Sequence, residues 1–279
     1  MGKINRVAAS SMLCMMLAWP FSGVCAPTVA VSQIGSAKQI VEKLVANEDQ
    51  AALHKDHYAY LCKERSERTG GHLWTEKVVE TDAGKVRMLL EEDGRPLSPD
   101  RIAQERGRLA GIVADPTAFQ RHSQAIKDDE AHLRRMLAFA PRAYLFSEPR
   151  EDGGFLRIDF KPNPDYAPQS IEQRVLHNMM GTMLIDPTAL RLHHIEARLP
   201  ADVSIGYGLL AVIHAGSSFS ATRDRLGQPD WKTTQVDANI DGRVIFFKSV
   251  DRKQHVEHSN FIRVANDLSV AQAVALVEQ

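Results

Sequence analysis

The sequence predicts an α+β fold in which antiparallel strands predominate, and three observations support this prediction. First, apolar and polar residues alternate in several short segments, as in residues 155–160, which is the pattern of a half-buried strand. Second, turn signals separate neighbouring strand-like segments, as Asp186-Pro187 does within residues 181–199. Third, helical spacing is found mainly in a leading segment and in the middle of the chain.

The first element is predicted to be a helix over residues 36–53. Ile40, Val41 and Leu44 recur at helical spacing and therefore share one face. Ser36 stands where an N-cap is expected, because its hydroxyl can accept a hydrogen bond from an amide of the first turn.

Three strands are predicted to follow. In the first, the side chains of Tyr58, Tyr60 and Cys62 point to one face, since successive strand residues alternate. Residues 73–81 and 85–93 then form a hairpin, because an Asp-Ala-Gly turn joins them.

A helical insertion is predicted at about residues 98–140. Ser98 is a suitable N-cap, and Pro99 fits the first turn of a helix. A second helical stretch covers residues 117–140 and ends before Pro141. We interpret the insertion as a helical pair packed on the sheet, with a movable lid over a cavity as the alternative.

Strands resume after the insertion. Residues 171–185 fit one long strand or two strands joined at Gly181, and a helix over residues 171–180 is the alternative. Residues 269–279 fit a short helix or a strand. The other strand-like segments are residues 142–149, 155–162, 181–199, 205–213, 231–240 and 243–250.

Two of these segments are apolar on both strand faces. They are residues 207–213 and 243–247. A strand that is apolar on both sides is covered on both sides. One cover is predicted to be a helix, and the other is either the middle helical pair or a hydrophobic ligand.

Residues 1–26 match a secretory signal peptide, which leaves a single domain over residues 27–279. Lys3 and Arg6 precede an apolar stretch that is too short for a comfortable transmembrane helix. The predicted location is the periplasm.

Two details of the export signal remain open. Small residues favour cleavage after Ala26, and cleavage after Ala30 is the alternative. Cys25 suggests lipidation, but Val24 precedes it where a smaller residue is usual. An outer-membrane lipoprotein is therefore the less favoured interpretation.

Composition excludes some classes of function. The chain has 34 Lys and Arg and 35 Asp and Glu, so it is nearly neutral and does not have the charge of a nucleic-acid-binding protein. No segment after the signal is long and apolar enough to predict an integral membrane helix. Cys62 is the one cysteine left after cleavage, so we expect no internal disulfide and a buried thiol.

No catalytic, metal-binding or cofactor motif is present in the sequence. His193 and His194 are adjacent on a predicted strand, so they face opposite sides and cannot share one metal ion by themselves. Ser217 and Ser218 lack the spacing of a nucleophile elbow. We therefore predict a protein that is not an enzyme and carries no cofactor or metal.

An unrecognised active site is a third hypothesis. It would gain support from a cluster of His193, Glu196 and His214 beside a cleft. Arginines near the predicted hairpins are interpreted as the solvent face of the sheet, with pairing to lipid headgroups or an acidic partner as the alternative. They are Arg157, Arg191, Arg198, Arg223, Arg225 and Arg243.

Taken together, these elements resemble the LolA/LolB-like superfamily of periplasmic lipoprotein-sorting and sensor proteins. The resemblance covers roughly residues 33–264. It rests on the leading helix, the helical insertion, the hairpin of residues 181–199 and the alternating strand of residues 155–164. It implies a strongly curved, half-open antiparallel barrel with helices packed in its mouth.

The resemblance also implies a function. It predicts a non-catalytic protein that binds a lipid, a lipoprotein acyl chain or another hydrophobic ligand between sheet and helices. The expected contacts are Leu156, Ile158 and Phe160 on the strand, with Met136 and Phe139 from the insertion. The alternative is an envelope interaction or sensor protein of the same fold, with a closed core and a protein partner.

Overall fold

The chain folds around a large antiparallel sheet. A computed structural model describes residues 35–53, 56–124, 138–205, 211–227, 230–244 and 252–279. All of these residues belong to one compact unit, Val31–Gln279. Within them the main sheet has twelve strands and is not closed, since β4 and β5 form its two ends.

The strands of the main sheet come from the whole length of the described chain. They are β1 (Tyr58–Arg65), β2 (Leu73–Thr81), β3 (Gly84–Glu92), β4 (Arg95–Pro96), β5 (Tyr144–Phe146), β6 (Arg150–Asp152), β7 (Phe155–Pro162), β8 (Met180–Ile185), β9 (Leu192–Arg198), β12 (Ser218–Arg225), β13 (Trp231–Ile240) and β15 (Arg252–Arg263). A small second sheet contains β10 (Val203–Ile205), β11 (Ala211–Ile213) and β14 (Gly242–Val244).

The helices precede, interrupt and follow these strands. They are α1 (Ala37–Leu53), α2 (Pro99–Ala114), α3 (residues 116–124), α4 (Ala140–Ala143), α5 (Ile171–His177) and α6 (Val270–Val277). No helix in the described part of the chain has the length and apolarity needed to span a bilayer.

Serine caps explain where several helices begin. Ser98 Oγ accepts the first-turn amide of α2, and Ser269 forms a capping box with Gln272 at α6. Ser170 Oγ accepts the amide of Gln173, which starts α5. The strand interpretation of residues 171–177 is therefore wrong, and its helical alternative is correct.

The strand order brings the first and last strands of the described chain together. The order is β4-β3-β2-β1-β15-β13-β12-β9-β8-β7-β5, with β6 also paired to β7. β1 thus lies between its sequence neighbour β2 and the last strand, β15. The predicted hairpins β2–β3 and β8–β9 are both confirmed.

The two faces of the sheet carry different side chains. We call one the α1 face, which bears Ile158 and its partner Met183, and the other the cleft face, which bears Asp159 and its partner Thr182. These pairs lie on opposite faces because successive strand residues alternate.

Helix α1 covers the α1 face over β7, β8 and β9. Ile40 and Val41 of α1 are almost fully buried there, as is Ile158 of β7. Burial of each large aliphatic side chain contributes about 1.5–3 kcal/mol, so this cluster holds the helix on the sheet. The fully buried part of the cluster comprises Ala37, Ile40, Val41, Leu44, Leu156, Ile158, Phe160, Met179, Met183, Ile185, Ala197, Leu199 and Val203.

Helices α2 and α6 cover the opposite end of the other face. Val79 and Val86 of β2 and β3 pack against Leu109 of α2 and Val274 of α6. The helical insertion therefore packs on the sheet through α2, and its residues 125–137 lie outside the described residues. The cleft face of β5 to β15 is left without a covering helix among the described residues.

The predicted fold class is confirmed: an open, curved antiparallel sheet with helices packed on it. The doubly apolar segments of residues 207–213 and 243–247 fall mostly outside the described residues. Their described ends form β11 and β14 of the small sheet.

Candidate functional site

A cleft of about 1200 Å³ lies on the cleft face of the main sheet. Its wall is formed by seven neighbouring strands from β5 to β15 and by Arg65 of β1. A single sheet can surround such a volume only if it curves, so the cleft marks the concave side of the sheet.

The strand register arranges the side chains of the cleft in two rows that run across the strands. We call the first the acidic row, because three of its seven members are carboxylates. In order across the sheet, its directly paired members are Asp159, Thr182, Glu196, Ser220, Asp237, His255 and Arg65.

The second row lies beside the first, two residues away on each strand and always towards the same edge of the cleft. We call it the basic row, because its charged members are all cations. Across the sheet it contains Leu145, Lys161, Met180, Arg198, Ser218, Asn239 and Lys253. All members of both rows line the cleft.

Asp159, at the β7 end of the acidic row, is surrounded by donors. The Thr182 hydroxyl donates to it at 2.7 Å, and guanidinium groups of Arg150 and Arg157 lie at 2.7 and 3.3 Å. The Thr182 hydrogen bond and these two cations lower the pKa of Asp159. Its charge is thus balanced within the protein.

Asp237, near the other end of the acidic row, is also paired. His255 Nδ1 lies 2.6 Å from its carboxylate, and Gln235 donates to it at 2.7 Å. The hydrogen bond with His255 lowers the pKa of Asp237, and the same hydrogen bond raises the pKa of His255. The imidazole is further held by Glu257, 3.3 Å from Nε2.

The basic row is different, since its cations have no such partners. Lys161, Arg198 and Lys253 are exposed, and none forms a hydrogen bond or ion pair with another described residue. Glu196 is the acidic-row carboxylate that likewise has no partner among the described residues. The charge that the cleft offers to a ligand is therefore mainly positive.

Of the strand residues predicted to bind a hydrophobic ligand, Phe160 borders the cleft, whereas Leu156 and Ile158 do not line it. Leu156, Ile158 and Phe160 belong to the cluster that α1 joins, and 3%, 0% and 6% of their surface is exposed. That they contact a ligand stays a prediction, and the structure adds a condition: α1 would first have to leave Leu156 and Ile158.

Of the two ligand-binding residues predicted in the insertion, the structure describes only Phe139. Phe139 is buried and stacks on Tyr166 and Tyr144, with ring centroids 5.6 and 6.2 Å apart. Met136 lies outside the described residues. Phe139 is therefore placed among aromatic side chains of the protein itself.

Helix α1 is clamped to the hairpin between β8 and β9 by two polar residues. Arg191 donates to both carboxylate oxygens of Glu48, at 2.8 and 3.0 Å, and Arg223 donates to the same group. Asn47 donates to the carbonyl groups of Ala189 and Leu190. The sequence pattern placed the two arginines on the solvent face and gave no sign of this clamp, because the partners are far apart in sequence.

The clamp is strongly charge-stabilised. Burial of Glu48 works to raise its pKa, but the hydrogen bonds and charges of Arg191 and Arg223 outweigh this effect and lower the pKa. Glu48 is therefore ionised in the folded protein at neutral pH, and its carboxylate holds α1 to Arg191 of the β8–β9 hairpin and to Arg223 of β12.

A second polar cluster is buried on the α1 face of β1 to β3. Glu76 accepts hydrogen bonds from Arg68 and from Arg87, with its Oε2 at 2.6 and 2.9 Å from their nitrogens. Glu64 accepts from Arg68 at 2.6 Å. Two buried carboxylates and two guanidinium groups thus balance one another.

Three side chains of this cluster lie close enough together to hold a metal ion. Atoms of Cys62, Glu64 and Glu76 lie within 4.8 Å of one another. However, Arg68 and Arg87 donate into the same space, and burial raises the pKa of the Cys62 thiol. Because cations and a protonated thiol disfavour a metal, the set is explained as an ion-pair network.

The three residues of the enzyme hypothesis do not meet in the cleft. Glu196 lines it, whereas neither histidine does. His193 stacks on Phe155 with centroids 4.0 Å apart, and His214 lies 3.3 Å from a carboxylate oxygen of Asp202. Each histidine thus has its own local partner.

Comparison with protein-family models, with curated proteins and with solved structures finds no match to this chain. The relationship to the LolA/LolB-like superfamily stays a prediction that rests on the residues named above.

Proposed function

We propose that this chain is a non-catalytic envelope protein that binds a protein partner in its open cleft while its apolar core stays closed. One observation carries the proposal: the open concave surface bears two rows of mainly charged and hydroxyl side chains beside its apolar residues, whereas the opposite face is covered by α1. A ligand that enters the cleft is recognised by hydrogen bonds and charge.

Two further features support binding without catalysis. His255 is held between Asp237 and Glu257, so it is committed to these two carboxylates. Neither Ser218 nor Ser220 is hydrogen-bonded to a histidine of the described chain. A hydroxyl without an adjacent base is a weak nucleophile. The export signal predicted at residues 1–26 supports the envelope location.

Site-specific photo-crosslinking in the producing cell tests the proposal. A photoreactive residue would be placed at Ser220 or Asn239, both in the cleft, and at Arg106 on the exposed side of α2 as the control. We expect the two cleft positions to crosslink one protein through one segment, identified by peptide mapping. Equal crosslinking from Arg106, or none from the cleft, would contradict the proposal.

Lipid binding is a second candidate, because one observation favours it. The side chains of Ile40, Val41 and Leu44 occupy a continuous apolar surface, which an acyl chain could cover if α1 moved away. Glu48→Gln weakens the clamp on α1 and should then increase the lipid that co-purifies. Native mass spectrometry after solvent extraction measures this, with exposed Glu42→Gln as the control.

A protein that stays free of lipid in both variants, even after incubation with membrane lipids, would exclude this second candidate. It would leave the cleft as the binding surface.

A further inference from the structure

We propose that the partner segment held in the cleft is an acidic, extended polypeptide whose carboxylates pair with the basic row. This inference rests on the proposed function and specifies its ligand. Lys161, Arg198 and Lys253 supply three cations on three different strands, all exposed and all without partners among the described residues. Charge complementarity therefore requires an anionic ligand.

The spacing of the cations fits a linear ligand that crosses the strands. β7 and β9 are two steps apart in the sheet, and β9 and β15 are three steps apart. Neighbouring strands are about 4.8 Å apart, so the cations lie at intervals of roughly 10 and 14 Å along the curved surface. An extended polypeptide advances about 3.3 Å per residue, and about seven residues span the row.

The acidic row distinguishes a polypeptide from a uniform polyanion. Glu196, the acidic-row carboxylate without a partner among the described residues, lies two residues from Arg198 on β9 and would repel a nucleic acid or a sulfated glycan that filled the cleft. A peptide can instead place carboxylates over the basic row and backbone amides over the acidic row. Glu196 is an open acceptor for such an amide.

The β5 end of the cleft adds an apolar contact. Leu145 has 43% of its surface exposed at the edge of the sheet, and Met180 lies next to Lys161 and Arg198 in the basic row. Apolar side chains between cations suit a peptide that carries both acidic and apolar residues. They offer nothing to a fully hydrophilic polymer.

Fluorescence anisotropy with a defined probe tests this inference. The probe is a labelled octapeptide of alternating Glu and Ser, and the reference is an octapeptide of alternating Lys and Ser. We expect the acidic probe to bind, with Kd raised at least tenfold by Arg198→Glu and by Lys253→Glu. Arg106→Glu, the same charge change on the exposed side of α2, should leave Kd within twofold.

A substitution that should lower Kd for the acidic probe provides a further check. Glu196→Gln removes a repulsive carboxylate from the cleft and should lower Kd for the acidic probe. Since Glu196 is exposed and has no partner among the described residues, the folded state is retained, which circular dichroism verifies.

Two outcomes would overturn the inference. One is an acidic probe that binds no better than the basic one, or that is insensitive to Arg198→Glu, Lys253→Glu and Lys161→Glu. The other is a heparin fragment that depends on these residues while the peptide does not bind. If crosslinks from Asn239 persist in either case, the proposed function stands and the acidic ligand alone is wrong.

Discussion

Glu76 is the residue on which the buried ion-pair network depends. It is 3% exposed, and it accepts hydrogen bonds from two arginines. When one partner of such a network is removed, the remaining charges are buried without compensation, and this costs about 3–5 kcal/mol.

We therefore expect Glu76→Gln to lower the free energy of unfolding by roughly 3 kcal/mol, because it leaves Arg68 and Arg87 underpaired. Urea unfolding monitored by circular dichroism measures this. Glu67→Gln is the matched control, since Glu67 is exposed and its side chain has no partner in the described chain. A loss below 1 kcal/mol for Glu76→Gln would show that the network contributes little.

The reactivity of the Cys62 thiol can be predicted from its place in the same cluster. It is fully buried, and burial raises its pKa, so both access and the thiolate fraction are low. In a chain with Cys14 and Cys25 replaced by Ser, we expect a thiol reagent at pH 8 to label Cys62 only in denaturant. Rapid labelling of the native protein would contradict its burial.

The sequence predicted some of these residues and not others. The burial of Cys62 followed from its place in an alternating strand, and the structure confirms it. Glu64 and Glu76 occupy the same face as Cys62, and this inward position was a readable signal. Their arginine partners were not predictable, because pairing with Arg87 depends on the register between β2 and β3.

At the scale of the elements, Gly181 of β8 leaves no room for a side chain against β9. A Cβ atom at this position would lie 1.9 Å from the backbone oxygen of Glu196. Backbone atoms in the middle of a sheet cannot move aside cheaply, so glycine is required there by space.

Gly181→Ala should therefore lower the free energy of unfolding by about 2–3 kcal/mol, as overpacking does in well-packed cores. Gly107→Ala is the opposing control: it lies within α2, nothing lies within 4 Å of its added Cβ, and it should stabilise by about 1 kcal/mol. Thermal and urea unfolding of both variants measures these two changes in the free energy of unfolding. Equal effects of the two changes would contradict the contact at Gly181.

The clamp on α1 gives a prediction for pH. The pKa of Glu48 is lowered from its ordinary value of 4.5, so the folded state favours the ionised carboxylate. This stabilisation is present above pH 4.5 and is lost as the pH falls through the lower pKa of the folded state.

Glu48→Gln should thus destabilise the protein at neutral pH by about 3 kcal/mol, since Arg191 is buried and loses its partner. It should also make stability less dependent on pH below 4.5. Urea midpoints measured from pH 7 to pH 3 test both effects, with Glu42→Gln as the control. A variant whose acid dependence equals that of the unmodified protein would contradict the clamp.

Local sequence patterns predicted single helices and hairpins better than the way these elements pack on one another. Ser98-Pro99 and the Asp-Ala-Gly turn led to correct predictions of α2 and of the β2–β3 hairpin. Residues 171–177 were ambiguous, because a short apolar segment fits both periods. The cap at Ser170 decides for the helix. Which face α1 would cover could not be predicted, since the order of the strands was unknown.

At the scale of the whole molecule, three buried clusters lie along one continuous sheet. Trp74 lies in β2 near one end, and Trp231 begins β13 near the middle. Because the strands between them are hydrogen-bonded without a break, we expect both regions to unfold together.

The test uses a chain that begins at residue 27 and single-tryptophan variants Trp74→Phe and Trp231→Phe. Fluorescence of each variant and far-ultraviolet circular dichroism should give one coincident urea transition. Two separate transitions would show that the sheet consists of independent parts.

The position of the candidate site followed only from the complete sheet. Lys161, Arg198 and Lys253 lie in three segments whose sequences give no sign of a common surface. The strand order and register bring them into one row. The family resemblance implied an apolar cavity between a curved sheet and its helices. The residues assigned to that cavity came from alternation, which identifies a buried face without showing what buries it.

The pairing of β1 with β15 has a consequence for how the chain is made. A polypeptide that emerges from its amino end presents one edge of β1 without its partner until β15, at residues 252–263, has also emerged. Contacts between such distant segments form slowly, and an unpaired edge can recruit a strand from another molecule. The period between the emergence of these two strands is therefore when neighbouring chains compete with β15, and a delay in the synthesis of the residues between them should favour aggregation over folding.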